Sequence, residues 1–306
     1  MTKPSSTFNV CDPHRSDWLT LLGLDLRCPK SFETRVLSHE ILADHHRTHL
    51  SYITEDESRT DAYLLEPSGP PPATGLPAAV VFHATTDNHI KQPVGLADKP
   101  SRHIGLELVR RGWFVICPRN FIYGYQGLSW NDAVAELSRR HPRLTGMGKM
   151  LWDGMRAVDF LESRADVDPT KIACIGHSLG AKEALYLSAL DPRVRAAVAS
   201  EGGVGLTLSN WDAPWYWGAR QDSLSDRDHD ELIALTAPRA LMVIGGGDAD
   251  GEHSHRVIEA GRISSGTTPE ESLRLLIHQE GHDFPDKVRE ETYDWMEKMI
   301  SMGNTT

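Results

Sequence analysis

KIACIGHSLG, residues 171–180, joins an apolar run to a helix-forming one. KIACI (171–175) reads as a strand buried on both faces, because a parallel strand covered by helices loses the alternation of apolar and polar residues. A helix over 179–190 follows and stops before Asp191-Pro192. Between the two, Gly176-His177-Ser178-Leu179-Gly180 sets a serine in a Gly-x-Ser-x-Gly pattern. In such a strained strand-to-helix turn, small neighbours avoid clashes and the hydroxyl is presented at the C-terminal edge of the sheet. The helix N-terminus beyond it favours developing negative charge. Five loosely defined positions recur by chance, so it is the placement between strand and helix that carries the reading.

Working outward, the same rhythm repeats on both sides. Strands are expected at 78–83 (AAVVFH), 113–117 (WFVIC), 194–199 (VRAAVA), 240–245 (ALMVIG) and 272–277 (SLRLLI). Helices are expected at 100–111, 147–163, near 253–264 and at 286–301. Strand–helix alternation implies a mostly parallel sheet with helices on both faces. Upstream, residues 1 to about 40 are mixed and polar, with one short helical candidate at Asp17–Leu24. HRTHLSYI (46–53) and TDAYLLE (60–66) look like two antiparallel strands extending one sheet edge. PSGPPPATGLP (67–77), with five prolines in eleven residues, reads as a loop joining strands rather than a domain boundary. The expectation is a single domain over 1–306, with 1–77 as N-terminal extension and edge strands. Segment 201–238 is longer than an ordinary connection and is expected to be a cap or lid insertion.

Composition narrows the function class. The chain has 306 residues, 40% hydrophobic and 25% charged, a globular composition large enough to bury a sizeable core. Lys and Arg total 32 against 43 Asp and Glu, a net charge of −11. That balance argues against a nucleic-acid or anionic-membrane partner, both of which need clustered positive charge. Cys11, Cys28, Cys117 and Cys174 show neither pairing intervals nor a Cys-x-x-Cys, so neither a disulfide framework nor a zinc site is expected. MTKPSSTFNV lacks an apolar signal core, and no run approaches a membrane span. The expectation is a soluble, cytoplasmic protein, a removed leader aside, and the sequence leaves self-association open.

A serine hydroxyl needs a general base, itself oriented by an acid. In a fold with this elbow the order along the chain is Ser, acid, His. Strand 240–245 opens into Gly246-Gly247-Asp248-Ala249-Asp250, and Asp248, first after the glycine turn, is preferred over Asp250 as acid. Glu201, in Ser200-Glu201-Gly202-Gly203 on the same edge, is an alternative acid or a substrate contact. Strand 272–277 opens into His278-Gln279-Glu280-Gly281-His282-Asp283-Phe284-Pro285. His282, in the loop before the last helix, is the expected base, whereas His278 lies at the strand end and reads as packed.

With these residues in hand, the chain from about Ala78 to Ile300 resembles an α/β-hydrolase of the dienelactone hydrolase and acetyl xylan esterase-like group. The elbow and the Gly281-His282-Asp283-Phe284-Pro285 loop carry most of that likeness. It implies a triad of Ser178, Asp248 and His282. It also implies an oxyanion hole made by the backbone of Leu179 and by the loop His83-Ala84-Thr85-Thr86-Asp87. Many members begin that loop with His-Gly where this chain has His83-Ala84, which leaves Ala84 or Thr85 as second donor, with Thr85 preferred. FHATTDNHIKQPVGL (82–96) and ELVRRGWFVICPRN (107–120) are similar to loosely annotated members near the acetyl xylan esterases. Glucuronoyl esterases follow the nucleophile with arginine; Leu179 stands there in this chain and argues against a glucuronate ester.

Trp211, Trp215 and Trp217 bring three of the eight tryptophans into seven residues. They are expected either to line an acyl or sugar pocket or to anchor the long loop. His83 and Glu201 are further candidate substrate contacts, and Arg119-Asn120-Phe121-Ile122-Tyr123 follows another strand end. Fifteen histidines raise a metal, but His46 and His49 on a strand face opposite ways and His253 and His255 diverge on a helix. Neither pair has zincin spacing, so no metal is expected, and no cofactor. The expected function is a serine carboxylic-ester hydrolase acting through an acyl-enzyme on a small-molecule or carbohydrate ester. Rival readings are a serine peptidase of prolyl oligopeptidase type, a dienelactone-type hydrolase with its usual cysteine nucleophile, and a non-catalytic binding protein of the same fold.

Overall fold

The computed structural model describes residues 12–25, 32–55, 58–124, 128–266 and 268–302. Cys11 and Cys28 lie outside them. Nine strands form one sheet: β1 (Thr34–Ile41), β2 (His45–Ile53), β3 (Arg59–Pro67), β4 (Leu76–Phe82), β5 (Phe114–Pro118), β6 (Val167–His177), β7 (Val194–Ser200), β8 (Ala240–Gly245) and β9 (Leu273–Ile277). Their spatial order is β1-β2-β3-β5-β4-β6-β7-β8-β9. The six strands from β5 to β9 run parallel to one another, and β1, β2 and β3 add antiparallel pairings. Register runs straight across the centre: Val80 pairs with Cys174, Cys174 with Ala197, Ala197 with Leu241, and Leu241 with Leu273.

The apolar runs are continuous because both faces are covered, and successive residues feed two separate cores. Val80, Cys174, Ala197 and Val243 face α1 (Pro13–Leu22), α4 (Gly146–Glu162), α5 (Leu179–Leu190), α6 (His229–Thr236) and α7 (His255–Ser265). Val81, Ile175, Val198 and Ile244 face α2 (Ile104–Arg110) and α8 (Asp286–Ser301). All twelve residues of α5 are buried, so the helix after Ser178 is a central strut and not a surface element. Cys117 and Cys174 are free and buried, and burial pushes both thiols up.

Three departures from the sequence reading have physical causes. The antiparallel edge has three strands, not two, since residues 34–41 form β1. All eight of its residues are exposed, so it shows none of the alternation that marks a half-buried strand. A bulge between Val36 and Ser38 distorts this edge, a common way of discouraging further pairing. Helix α3 (Trp130–Arg140) was not anticipated; its Ser129–Asp132 capping box is the local signal that marks its start. Helix α6 lies near the end of the segment expected to be a cap, whose other residues, 201–228 and 237–238, are irregular apart from a 3-10 turn at Gly218–Leu224. Among the described residues, no helix is long and apolar enough to cross a membrane.

Candidate active site

Ser178 occupies the junction of β6 and α5 with φ 58° and ψ −115°, a left-handed conformation rare for a residue with a side chain. The flanking glycines make the turn fit. A Cβ on Gly176 would stand 2.2 Å from the backbone of Gly180, and one on Gly180 would stand 2.5 Å from the Phe82 carbonyl oxygen. The Ser178 N–H donates to the Ser200 carbonyl at 2.7 Å, tying the elbow to the neighbouring strand end. Leu179 opens the helix directly after the serine, with its N–H in the first turn.

The loop after β4 carries the second expected oxyanion donor. His83 is buried, its Nε2 accepting from the Asn120 N–H at 3.1 Å and its Nδ1 lying 2.8 Å from the Ala84 carbonyl. Burial pulls its pKa down to about 4, only partly offset by the Ala84 bond. Both ring nitrogens are thus engaged, and the imidazole shapes the loop instead of facing a substrate. The Thr86 N–H donates to the Tyr123 hydroxyl at 3.1 Å, which leaves Ala84 and Thr85 as candidates, Thr85 being exposed.

His282 stands with its ring 4.9 Å from that of His177, the residue before Ser178. Two carboxylates converge on its Nδ1: Glu201 Oε2 at 3.3 Å and Asp248 Oδ2 at 3.1 Å. Their surroundings differ sharply, the Asp248 side chain being 65% exposed and that of Glu201 fully buried. Glu201 is at φ 57°, another left-handed non-glycine residue, directly after β7. Its oxygens accept from the N–H groups of Gly246, Ala249 and Asp250. Burial alone would raise its pKa, but the bonds from His282 and these three amides outweigh burial and hold it below the usual carboxylate range.

Asp250, weighed in the sequence as a second choice of acid, is not at the imidazole. Its Oδ2 accepts from the Gly203 N–H at 2.7 Å, and its Oδ1 from the Val204 N–H and the Ser254 hydroxyl at 2.8 Å each. It is a fully buried brace for the loop after β7, and burial raises its pKa against those bonds. His278 is packed as expected, with its N–H on the Gly245 carbonyl at 2.9 Å.

The aromatic segment divides its roles. Trp211 is buried and donates from Nε1 to the Gly203 carbonyl at 2.8 Å; Trp217 is buried and donates to the Tyr186 hydroxyl at 3.0 Å. Both anchor the segment. Trp215 is half-buried and meets Trp130 edge-on at 5.2 Å, and Trp130 meets Tyr123 at 5.4 Å. Tyr123 in turn lies 5.4 Å from His83, so a row of rings leads from segment 201–228 to the loop after β4. Segment 201–228 sits close on α4: a Cβ on Gly146 would come within 2.2 Å of the Trp215 carbonyl.

Sequence reasoning missed Lys182 and Trp130. Lys182 lies in the first turn of α5, four residues after Ser178, and that spacing was the available signal. Its Nζ is 3.7 Å from the centre of the Trp211 ring, 5.0 Å from that of Tyr216, and donates to Ser209 Oγ at 3.0 Å. Burial pulls its pKa down to about 7, against a small upward pull from Asp250. Trp130 follows residues with no periodicity and carried no signal.

Among the described residues one group of three metal-ligand side chains was found: Glu201, Asp248 and His282, with ligand atoms within 4.8 Å of one another. These same contacts are those of an imidazole N–H flanked by carboxylates, and the Glu201 oxygens are already taken by backbone donors.

The chain resembles known proteins at several levels. It is 26% identical over 162 residues to a protein of Bacillus subtilis strain 168 named as the hydrolase YtaP, covering 50% of this chain and 54% of that one. It is 29% identical over 126 residues to 4-O-methyl-glucuronoyl methylesterase 1 of Sodiomyces alcalophilus, covering 32% of this chain and 25% of the relative. The matches thus span about half of the first relative's length and a quarter of the second's. Acetyl xylan esterase 1 from a Thermoanaerobacterium species superposes with a TM-score of 0.66 at 15% identity, covering 94% of each chain, and so shares the fold. The dienelactone hydrolase family model matches residues 60–251, from β3 through the elbow to the acid loop after β8. That stretch is more than half of the molecule, and the protein belongs to the dienelactone hydrolase family.

Proposed function

We propose that the protein is a serine carboxylic-ester hydrolase acting through an acyl-enzyme on small or sugar-linked esters. The observation that supports this reading is Ser178 at φ 58° on the elbow, with the ring of His282 packed on that of the adjacent His177 and two carboxylates at its Nδ1. Ser178 Oγ attacks the ester carbonyl while His282 Nε2 takes its proton, and the N–H groups of Leu179 and Thr85 hold the oxyanion. His282 returns the proton to the departing alcohol, and water then cleaves the acyl-serine by the same route. The chemistry calls for no cofactor.

Glu201 is the principal acid in this reading. It is buried, ionised and fixed by three amides, so its charge acts on the imidazolium in a low-dielectric setting. Asp248, largely in solvent, is the screened second partner. The ring row through Tyr123, Trp130 and Trp215 suits the C–H faces of a sugar, which supports a carbohydrate ester. So do the relatives named as sugar-ester esterases.

Hydrolysis of p-nitrophenyl acetate and of acetylated xylo-oligosaccharides tests the proposal, with fluorophosphonate labelling alongside. Ser178→Ala and His282→Ala are expected to abolish turnover, and Ser178→Ala to abolish labelling. Undiminished turnover in Ser178→Ala would refute the serine mechanism. Labelling without hydrolysis of either ester would leave the site standing and reject the substrate class.

A further inference from the structure

The imidazole of His282 is held at Nδ1 by carboxylates, but an imidazole is only as well placed as the backbone that carries it. Gly281, just before it, is at φ 65°, and the Asp283 N–H turns back to the Gly281 carbonyl at 2.7 Å, making a tight loop with a glycine at its base. One buried guanidinium grips this loop from outside. Arg102 ends a 3-10 turn, Pro100–Arg102, in the connection from β4 to α2 that also carries Thr85. Its side chain is only 5% exposed. One nitrogen donates to Asp283 Oδ1 at 2.8 Å and another to the carbonyl oxygen of His282 itself at 3.0 Å. Ser101 Oγ donates to the same Asp283 oxygen at 3.1 Å, and Lys99 Nζ lies 3.7 Å from it.

We propose that Arg102 is a positioning residue for His282, clamping the loop that bears the base to the loop that bears the oxyanion donor. The inference rests on the serine-hydrolase reading. A guanidinium is planar and presents its donors in a fixed fork, so it satisfies the carbonyl and the carboxylate together and leaves the loop no rotation about Gly281. An ammonium supplies charge without the fork. A displacement of the base by about 1 Å is enough to slow a proton transfer by about a hundredfold while hardly touching substrate binding.

The experiment compares kcat and KM for p-nitrophenyl acetate in the native protein, Arg102→Gln, Arg102→Lys, Asp283→Ala and His282→Ala, with thermal melting of each. Arg102→Gln is expected to lower kcat by about 10- to 100-fold with KM within about threefold of native. Arg102→Lys is expected to recover part of that loss, and Asp283→Ala to lower kcat with KM again unchanged. Native kcat in a folded Arg102→Gln protein overturns the inference, as does a loss that follows the melting temperature and affects KM equally. If Arg102→Gln does not fold, Asp283→Ala decides, since that side chain is 39% exposed; unchanged kcat there overturns the clamp. The control separates the two levels. Native activity in His282→Ala refutes the serine-hydrolase reading itself, whereas an inactive His282→Ala beside a fully active Arg102→Gln refutes only the positioning role.

Discussion

Lys182 offers a perturbation whose size follows from the structure. Its ammonium sits over Trp211 in a nearly closed site, 4% exposed, with the Ser209 hydroxyl as hydrogen-bond partner. Burial moves its pKa from an ordinary 10.5 to about 7. Between those values the unfolded chain holds a proton that the folded chain has released, so stability rises with pH across this window, by up to about 1.4 kcal/mol per unit. Below about 7 both states are protonated and the full cost of burying the charge is borne. Methionine has similar length and packs well on indole, and it removes the titration. From pH 7 to pH 9 the native protein is therefore expected to gain about 2 kcal/mol of stability relative to Lys182→Met. Urea unfolding of both proteins at pH 7, 8 and 9 reads this difference directly, because titrations elsewhere cancel between them. Parallel pH profiles, agreeing within about 0.5 kcal/mol, would refute the argument, as would a gain on acidification.

Three further outcomes are expected. Glu201→Gln should lower kcat by about 10- to 100-fold and Asp248→Asn by less than about fivefold, while the double variant approaches the roughly 10⁴-fold loss of a missing triad acid. A double variant no worse than Glu201→Gln alone in steady-state hydrolysis would remove Asp248 from the site. Gly180→Ala should cost about 1–3 kcal/mol or more, because its Cβ meets the Phe82 carbonyl at 2.5 Å; an unchanged melting temperature would contradict the packing described. Trp215→Ala should raise KM for an acetylated xylo-oligosaccharide by up to about tenfold and leave that for p-nitrophenyl acetate unchanged, and equal effects on both would remove the ring from sugar contact.

What could be read in the sequence was what is encoded locally. The continuous runs of β4 to β9 announce a sheet covered on both faces, and Ser178 between two glycines announces its turn without any distant partner. His282 was legible for the same reason, since a short Gly-His loop between a strand and a helix is punctuation. Glu201 and Asp248 could both be named as candidate acids, but not ranked. Choosing among Glu201, Asp248 and Asp250 depends on bonds between loops about fifty residues apart, in which Glu201 takes the amides after β8 and Asp250 takes those after β7. Nor does the sequence show that Trp211 would cover Lys182, or that His83 would spend both nitrogens on backbone groups. Strand β1 escaped because a strand with every side chain in solvent has no period to detect.

The pair of carboxylates at one imidazole N–H also bears on ancestry. Glu201 follows β7 and Asp248 follows β8, so two strand ends offer the same charge to the same atom. On the proposed mechanism, a lineage starting from such a chain can lose either acid by a single substitution and still keep a carboxylate at the imidazole. The acid can thereby migrate from one strand to its neighbour with no ancestor lacking it, while serine and histidine stay where they are. Each loop released from that duty is then free to diverge, and relatives that look alike in fold can come to differ in which strand supplies the acid.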